Sequence, residues 1–370
     1  MLGYLHIPFC HRICPYCSFY KHTPGGTPIG AFIDSLLTEA RNRLAESPRS
    51  LYFGGGTPSM LSPAHLRKML EGLARLIDFE TLDDVTLEAN PATFDLAKAT
   101  LFRELGIQRV SLGIQSFTPH VLATLGREHS PAEAAESVRT LRAADMPSVN
   151  IDLMFSIPGL SLDDWRHTLE TAIALEPDHI SAYNLTYEED TAFFDSLKRG
   201  DLDADEDRDA EQFLLADELL TAAGYEHYET SNYARPGHRS THNRGYWKGE
   251  DYLGLGPSAV STLGNEGLQP ASSPHSVVRT TNVADTDRYI RMIDQVGHAI
   301  VETEELTPEQ LRLERIALLL RTEEGVPLDL LNKADLPRLI DSGLAEIRQD
   351  RFALTRQGAP LVDPIAAELA

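Results

Sequence analysis

Short apolar or β-branched runs alternate with longer amphipathic stretches over the first half of the chain. The short runs predict six strands, at residues 3–7, 50–53, 84–88, 108–112, 148–153 and 179–183. Between them, apolar residues recur with helical spacing, as at Leu66, Met69, Leu70 and Leu73. Such a strand–helix series requires a parallel sheet, either partly closed into a barrel or open and doubly wound. In both architectures ligands gather at the carboxyl ends of the strands.

Helix starts carry recognisable capping signals. Thr27-Pro28, Ser62-Pro63 and Ser130-Pro131 each place a hydroxyl side chain before a proline, which predicts an N-cap followed by the first helical residue. Ser161, before Leu162 and two aspartates, predicts a further cap.

The last third of the chain has a different organisation. The first 264 residues are predicted to form the main α/β domain, and residues 265–283, rich in Pro, Ser, Thr and Asn, predict a linker. Residues 284–370 read as short helices followed by a hairpin, with strands at 343–347 and 352–354. This order favours a small winged-helix-like domain at the C-terminus.

Charge and hydropathy narrow the range of partners. The chain has 370 residues, 33 Lys and Arg against 56 Asp and Glu, and a formal net charge of −23. A strongly acidic protein is a poor ligand for nucleic acid, because phosphate binding needs a basic surface. No apolar run reaches membrane-spanning length and no secretory signal is visible, so we expect a cytoplasmic protein.

The three cysteines, Cys10, Cys14 and Cys17, lie within eight residues directly after the first predicted strand. Three thiolates with this spacing can bind three irons of a [4Fe-4S] cluster and leave the fourth iron open. An electron-transfer ferredoxin would need a fourth cysteine, which the chain lacks. The alternative is a Cys3His zinc site that uses His6 or His11, although structural zinc ligands normally come as two separated pairs.

The cysteine spacing and the preceding segment Tyr4-Leu5-His6-Ile7-Pro8-Phe9 resemble the radical S-adenosylmethionine (SAM) superfamily. Within this superfamily, they resemble the coproporphyrinogen oxidase-like branch. The resemblance covers residues 1–260 and implies a partial (β/α)6 barrel with a [4Fe-4S] cluster whose open iron chelates SAM. It is supported by a Gly-Gly-Thr-Pro segment after the second strand and by polar residues that end the third, fourth and fifth strands. The residues that the resemblance assigns to SAM contacts are Tyr4, Tyr16, Gly55, Gly56, Thr57, Glu88, Gln115, Arg127 and Asp152.

Two features bear on the branch within this family. The resemblance implies that oxidases of this family have a further cysteine two residues after the position of Cys17. This chain has Phe19 there. The string from His242 to Trp247 resembles the heme-binding signature of the family's heme chaperones, which implies heme binding by His242, Asn243, Tyr246 and Trp247. A neutral imidazole is a common axial ligand of heme iron, and the two aromatic rings could pack against a macrocycle. His227 and His238 are alternative ligands.

These features predict a heme chaperone that binds heme, a [4Fe-4S] cluster and SAM, and transfers heme to a hemoprotein acceptor such as a membrane-associated respiratory protein. A homodimer is a further expectation. The alternative is a radical SAM enzyme, either a decarboxylase of coproporphyrinogen or a related methylase. A DNA-interacting regulator that acts through the C-terminal domain is a third class, which the net charge opposes.

Overall fold

The computed structural model describes residues 1–202, 205–264, 277–332, 334 and 336–369. The six predicted strands are confirmed, each within a few residues of its expected bounds. They are β1 (Leu2–Ile7), β2 (Ser50–Gly55), β3 (Asp84–Ala89), β4 (Arg109–Gln115), β5 (Ser148–Phe155) and β6 (His179–Asn184). Each of the first five pairs in parallel with the next of the six along the chain.

Helices connect these strands, as the apolar spacing predicted. They are α1 (Ile29–Arg43), α2 (Pro63–Ala74), α3 (Leu96–Glu104), α4 (Pro119–Thr124), α5 (Pro131–Ala143) and α6 (Leu162–Ala174), with α7 (Ala192–Lys198) and α8 (Glu206–Ala222) after β6. Ser62, Ser130 and Ser161 cap α2, α5 and α6 through their side chains. The expected cap at Thr27 is wrong, because α1 begins one residue later and Pro28 occupies the capping position without a side-chain bond.

Further strands extend the sheet on both sides. Next to β6 lie β8 (Asn232–Ala234) and then β7 (Glu226–Glu229), both antiparallel to their neighbours. On the other side, β9 (Tyr252–Leu255) pairs in parallel with β1 and is followed outwards by β10 (Val260–Leu263), β11 (Val277–Asn282) and β12 (Ile300–Leu306). Within the described residues the sheet therefore has 12 strands.

The sheet curls about the parallel strands. The loop after β1 reaches α7, which follows β6, and the backbone N–H of Phe193 donates to the carbonyl oxygen of Pro15 at 3.2 Å. In a flat sheet these strands would be about 24 Å apart, at a spacing of roughly 4.8 Å per strand. The contact requires a concave sheet, which is the partial barrel implied by the family resemblance.

The two faces of the parallel strands differ in chemistry although both are buried. Phe53, Val85 and Leu87 belong to the apolar core between the sheet and the helices, and their exposed fractions are 0%. The alternate residues of the same strands face the concave side of the sheet, which we call the lumen. The lumen is lined by Tyr52, Thr86, Glu88, Asn150, Asp152 and His179. A strict alternation of apolar and polar residues therefore builds a barrel with a polar interior.

The C-terminal part forms a second, smaller core with side chains from Ile316 to Leu369. Its elements are α11 (Pro308–Leu319), β13 (Val326–Pro327), α12 (Leu336–Asp341), β14 (Ala345–Arg348), β15 (Arg351–Leu354) and α13 (Val362–Leu369). The strands form a three-stranded antiparallel sheet in the order β13–β15–β14. This arrangement of helices and a hairpin is winged-helix-like, as expected from the sequence.

The start of this unit differs from the predicted boundary at residue 284. Residues 265–276 of the predicted linker lie outside the described residues, but residues 277–282 form β11, which pairs with strands on both sides. Helix α10 (Thr286–Val296) packs on the core of the barrel through Tyr289 and Ile293. The β-branched residues of β11 carried the signal for a strand, which the nearby Ser and Pro residues obscured.

The helices were also compared with the requirements for crossing a membrane. None of those in the described part of the chain combines the length and the apolar character that a bilayer-spanning helix needs.

Candidate cluster and SAM site

The three cysteines lie on the loop that follows β1, at the carboxyl end of the parallel strands. This loop is fixed to β2, since the N–H groups of Gly56 and Thr57 donate to the carbonyl oxygens of Ile7 and Phe9, each at 2.8 Å. The N–H of Cys10 donates to the carbonyl oxygen of His22 at 3.0 Å, which closes the far end of the loop. All three thiols are half-buried and free of disulfide bonds.

Two cations lie beside these thiols. The guanidinium of Arg127 approaches the Sγ atom of Cys14 at 3.7 Å, and the ammonium of Lys21 donates to the carbonyl oxygen of Cys17. Burial raises the pKa of Cys10 and of Cys17, and the positive charge of Lys21 opposes this shift at both thiols. Cations close to several thiols stabilise the thiolate form, which is the form that ligates metals.

The donor set fits a [4Fe-4S] cluster better than a single zinc ion. Among the described residues, no three side chains of His, Cys, Asp or Glu are arranged to hold one metal ion. His6, a predicted alternative ligand, uses both ring nitrogens: Nε2 bonds the carbonyl oxygen of Tyr20 at 2.7 Å and Nδ1 bonds the hydroxyl of Tyr4 at 3.2 Å. Three separated thiols with adjacent cations are instead suited to three irons of a cubane.

Most of the predicted SAM residues lie together around one cavity beside the cysteines. The cavity is lined by Tyr16, Gly55, Gly56, Thr57, Glu88, Gln115, Arg127 and Asp152, together with Cys10, Cys14 and Cys17. Tyr4 is the exception among the described residues, since its ring stacks on that of Tyr52 in the lumen, with the ring centres 6.2 Å apart.

The glycines of the Gly-Gly-Thr segment are required by close packing. Gly55 has a φ of 99°, and a Cβ atom there would lie 2.5 Å from the ring of His6. A Cβ atom on Gly56 would lie 2.6 Å from the carbonyl oxygen of Phe9. The absence of side chains lets β2 support the cysteine loop directly and leaves the cavity floor as backbone.

Two buried carboxyl groups line the cavity, and their burial makes both harder to ionise. Burial raises the pKa of Glu88 to about 7, and its carboxylate accepts a hydrogen bond from the hydroxyl of Tyr52 at 2.9 Å. Burial also raises the pKa of Asp152, although hydrogen bonds from Ser181, Ser111 and Asn150 oppose that shift. Carboxylates in such a site can bind an ammonium, a sulfonium or ribose hydroxyl groups.

Several further side chains line this cavity and were not predicted as site residues, among them Asn90, Tyr183 and Lys21. Asn90 accepts a hydrogen bond from Arg127 at 2.6 Å, which orients the guanidinium towards the cysteines. Tyr183 donates to the side-chain carbonyl of Gln115 at 2.6 Å, and Lys21 lines the cavity. The position of Tyr183 near the end of the sixth strand was the available signal, because polar residues at strand ends mark the ligand face.

The predicted heme-binding string lies at the opposite end of the barrel. It forms a short helix, α9 (Thr241–Trp247), which closes the amino ends of the strands. The N–H of Thr241 donates to the carboxylate of Asp84, the first residue of β3, at 3.2 Å. Arg109, the first residue of β4, donates to the carbonyl oxygen of His238 at 3.0 Å. The expectation that all ligand residues gather at the carboxyl ends therefore does not hold for this motif.

His242 is enclosed rather than exposed. Its Nδ1 atom bonds the hydroxyl of Ser50 at 2.9 Å, and its ring stacks on Tyr52 with the centres 5.0 Å apart. The Nε2 atom is buried without a hydrogen-bond partner among the described residues, and burial lowers the pKa of His242 to about 3. Its imidazole is therefore neutral with one free nitrogen, but no macrocycle can approach it while α9 keeps this position.

The other residues of the motif surround this histidine. Tyr246 packs against His242 with ring centres 5.0 Å apart, and the N–H of Asn243 donates to the N-cap hydroxyl of Ser240. Trp247 lies 6.0 Å from the guanidinium of Arg321 in the C-terminal unit.

The alternative heme ligands are both engaged in other contacts. His227 stacks on Tyr233 and bonds the carboxylate of Asp217 at 2.9 Å. His238 bonds the hydroxyl of Ser148 at 3.3 Å through Nδ1.

A three-cysteine loop above a polar cavity, at the carboxyl ends of six parallel strands, defines a radical SAM protein. Residues 4–172 match the model of the Radical SAM superfamily. The fold is similar to that of the coproporphyrinogen III oxidase HemN from Escherichia coli, with a TM-score of 0.79, 23% sequence identity and coverage of 99% of this chain and 89% of that one.

Relatives in sequence extend over nearly the whole chain. The heme chaperone HemW of Mycobacterium tuberculosis is 36% identical over 378 residues, which cover 99% of this chain and 94% of that protein. HemW of Bacillus subtilis is 31% identical over 373 residues, with coverage of 96% and 95%. The chain belongs to the HemW family of radical SAM proteins.

Proposed function

We propose that this chain is a heme chaperone that binds heme, a [4Fe-4S] cluster and SAM, and transfers heme to a hemoprotein acceptor. The observation that carries the proposal is the similarity to HemW proteins along almost the full length of both chains, which includes the C-terminal unit. Phe19 supports it, because this position lacks the further cysteine that the oxidase pattern contains.

The chain's own residues divide into two groups in this function. Cys10, Cys14 and Cys17 would hold three irons of the cluster, and the cavity residues from Tyr16 to Asp152 would hold SAM. When bound, a reduced cluster with SAM supplies one-electron chemistry. Arg127 and Lys21 offset the negative charge of the thiolates, and Glu88 and Asp152 hold the cationic ligand in place.

Heme binding is assigned to the group at the other end of the barrel. His242 has a neutral imidazole with an unpartnered Nε2 atom, which is the state that ligates heme iron. Since this atom is buried, α9 must move away from the barrel before heme binds. Asn243, Tyr246 and Trp247 move with it and would pack against the macrocycle.

The finer parts of the proposal concern the cellular setting. We place the protein in the cytoplasm, with a membrane-associated respiratory hemoprotein as acceptor and a homodimer as its assembly. A net charge of −23 supports the exclusion of nucleic acid as a partner.

A second candidate function is a radical SAM enzyme that decarboxylates coproporphyrinogen or methylates a related substrate. One observation favours it: Glu88, Arg127 and Asp152 line the same cavity as the three cysteines, so polar side chains surround the position next to the cluster loop.

Heme titration of the anaerobically reconstituted protein tests the two candidates. A chaperone is expected to give a stoichiometric Soret band, which His242→Ala abolishes and which His120→Ala, at an exposed histidine on α4, leaves intact. Thermal unfolding of each variant checks that the fold is retained. Conversion of coproporphyrinogen to its divinyl product by the same preparation would contradict the chaperone and establish the enzyme.

A further inference from the structure

A chain of polar side chains crosses the lumen, and its central members belong to neither of the two sites described above. Its central members are His179 on β6 and Tyr228 on β7, with exposed fractions of 2% each. Asn150 on β5, with an exposed fraction of 3%, lies between His179 and the SAM cavity. Buried polar groups of this kind are costly unless they are hydrogen-bonded, so their partners show what the chain does.

Hydrogen bonds join these residues without a break. The N–H of Ser240 donates to the hydroxyl oxygen of Tyr228 at 3.2 Å, and this hydroxyl bonds Nε2 of His179 at 2.7 Å. Nδ1 of His179 bonds the side-chain carbonyl of Asn150 at 2.7 Å. The amide nitrogen of Asn150 then donates to the carboxylate of Asp152, also at 2.7 Å.

The two ends of this chain lie in the two sites. Ser240 is the N-cap of α9, and its hydroxyl accepts from the N–H of Asn243 inside the predicted heme-binding motif. Asp152 lines the SAM cavity at the carboxyl ends of the strands. The hydrogen bonds therefore connect the amino end of the barrel with its carboxyl end.

Chemistry sets one direction for every bond in the chain. A carboxylate only accepts, so the amide nitrogen of Asn150 donates to Asp152 and its carbonyl oxygen accepts from Nδ1 of His179. Nε2 of a neutral His179 ring then accepts from the hydroxyl of Tyr228, whose oxygen accepts from the N–H of Ser240. Burial lowers the pKa of His179 well below its usual value, so the ring is neutral and carries its single proton on Nδ1. That proton bonds Asn150, whose amide then faces Asp152. Each donor points towards the carboxylate.

Asp152 depends on this chain for its orientation. Its carboxylate also accepts from the hydroxyl of Ser111, at 3.0 and 3.1 Å, and Ser111 in turn accepts from the amide of Asn150 at 2.6 Å. The rotamer of Asn150 thus sets two of the donors that hold Asp152, beside the hydroxyl of Ser181. His179, at 2.7 Å, and Ser181, at 3.3 Å, both donate to the carbonyl oxygen of Asn150, and the shorter bond from His179 favours this rotamer.

We propose that His179 and Tyr228 are positioning residues that couple α9 to Asp152, so that heme binding at α9 and SAM binding in the cavity change each other's affinity. A movement of α9 that exposes His242 withdraws the N–H of Ser240, which leaves Tyr228 free to rotate and weakens the hold on Asp152. Coupling between two binding sites is reciprocal by thermodynamic necessity. The heme half of this inference rests on the proposed function, whereas the positioning of Asp152 does not.

The experiment compares hydroxyl deletions in the full-length protein with its cluster reconstituted. Tyr228→Phe removes the relay hydroxyl, and Tyr225→Phe is the matched control, because its buried hydroxyl bonds the carbonyl oxygen of Pro177 and the guanidinium of Arg235, which both lie outside the relay. Without heme, we expect Tyr228→Phe to weaken SAM binding by about three- to tenfold, the effect of one lost hydrogen bond, and Tyr225→Phe to bind SAM as the wild type does. Equal SAM affinity in all three proteins would overturn the proposal.

Addition of hemin tests the coupling. We expect hemin to change the dissociation constant of SAM in the wild type by about fivefold or more, and in Tyr228→Phe by less than about twofold. A full hemin effect in Tyr228→Phe would exclude the relay. If hemin fails to bind even the wild type, the proposed function and the coupling fall together, while the SAM affinities measured without hemin still decide the positioning role.

A pair of substitutions at His179 separates relay from packing. Glutamine can accept from Tyr228 and donate to Asn150, so His179→Gln should retain near-normal SAM binding and a hemin effect. Leucine has a similar volume without these groups, so His179→Leu should behave like Tyr228→Phe. Equal behaviour of the glutamine and leucine variants, each shown to be folded by its thermal unfolding, would mean that His179 only fills space.

Discussion

Among the side chains of the SAM cavity, Glu88 has a pKa that lies far from that of a free carboxyl group. Burial raises its pKa from 4.5 to about 7, against the hydrogen bond from Tyr52. The folded protein therefore binds this proton more tightly than the unfolded chain does. The corresponding stability is fully present below about pH 4.5 and is lost as the pH rises through about 7.

Replacement of this residue gives a prediction with a defined sign. Glu88→Gln should raise the free energy of unfolding of the apoprotein by roughly 2 kcal/mol at about pH 8 and change it little at about pH 4.5, because the amide carries no charge to bury. Urea unfolding across this pH range measures the difference, with Glu136→Gln on the exposed surface as the control. If the free energies of unfolding of the variant and the wild type depended on pH in the same way, the pKa of Glu88 would not be raised in the folded protein.

Single residues also show where sequence reasoning stops. The cysteine spacing and the polar ends of the strands identified most of the cavity, because these residues lie at fixed places in a βα series. Asn90 and Lys21 were missed, since each acts through a neighbour: Asn90 orients Arg127, and Lys21 lies beside the thiols. The burial of His242 could not be predicted either, because a local motif does not indicate at which end of the barrel it lies or what packs over it.

At the scale of elements, the joint between β2 and the cysteine loop is the most tightly packed part of the site. A Cβ atom on Gly56 would lie 2.6 Å from the carbonyl oxygen of Phe9 and 2.7 Å from that of Ile7, and neither backbone atom can move without shifting the loop. Gly56→Ala should therefore lower the free energy of unfolding by about 1–3 kcal/mol and reduce cluster retention. Gly26→Ala is a control, because a Cβ atom there meets nothing within 4 Å.

Iron and acid-labile sulfide measured after reconstitution, together with thermal unfolding, check this prediction. We expect the wild type and Gly26→Ala to have the same cluster content, and Gly56→Ala to have a lower one. A Gly56→Ala protein with full iron content would show that the loop has room for a methyl group at this position.

The elements themselves were largely predictable from the sequence. The parallel strands were located because apolar and polar residues alternate in them, and Ser62 and Ser130 marked the starts of α2 and α5. The strand at residues 277–282 was missed, because its pairing with β10 and β12 is decided by distant segments and the Ser- and Pro-rich sequence before it resembles a linker.

For the whole molecule, the main consequence of the fold is the separation of its two candidate sites. The cluster and SAM residues lie at the carboxyl ends of the strands, whereas α9 closes the amino ends. The order of the motifs along the chain did not predict this separation, since both the SAM residues and the heme-binding motif follow strands of the same sheet. In the proposed function heme and SAM would therefore occupy separate sites and could bind at the same time, and the polar side chains of the lumen connect the two sites.

The C-terminal unit holds α9 in its closed position. The carboxylate of Glu324 accepts from Lys248 at 2.7 Å and from Arg244 at 3.3 Å, so one acidic residue joins this unit to both basic residues on and next to α9. Exposed ion pairs contribute only about 0.2–1 kcal/mol each, but α9 needs only a local opening to expose His242. We therefore expect the C-terminal unit to restrain the opening of α9 that the proposed function requires.

Glu324→Gln should consequently accelerate hemin binding. Loss of the two ion pairs is expected to raise the association rate by about two- to tenfold, and added salt should speed binding in the wild type more than in the variant, because it screens the same pairs. Stopped-flow recording of the Soret band measures both effects. Glu309→Gln, which removes an exposed ion pair within α11, should leave the rate unchanged. Identical rates in all three proteins would show that α9 opens without involvement of the C-terminal unit.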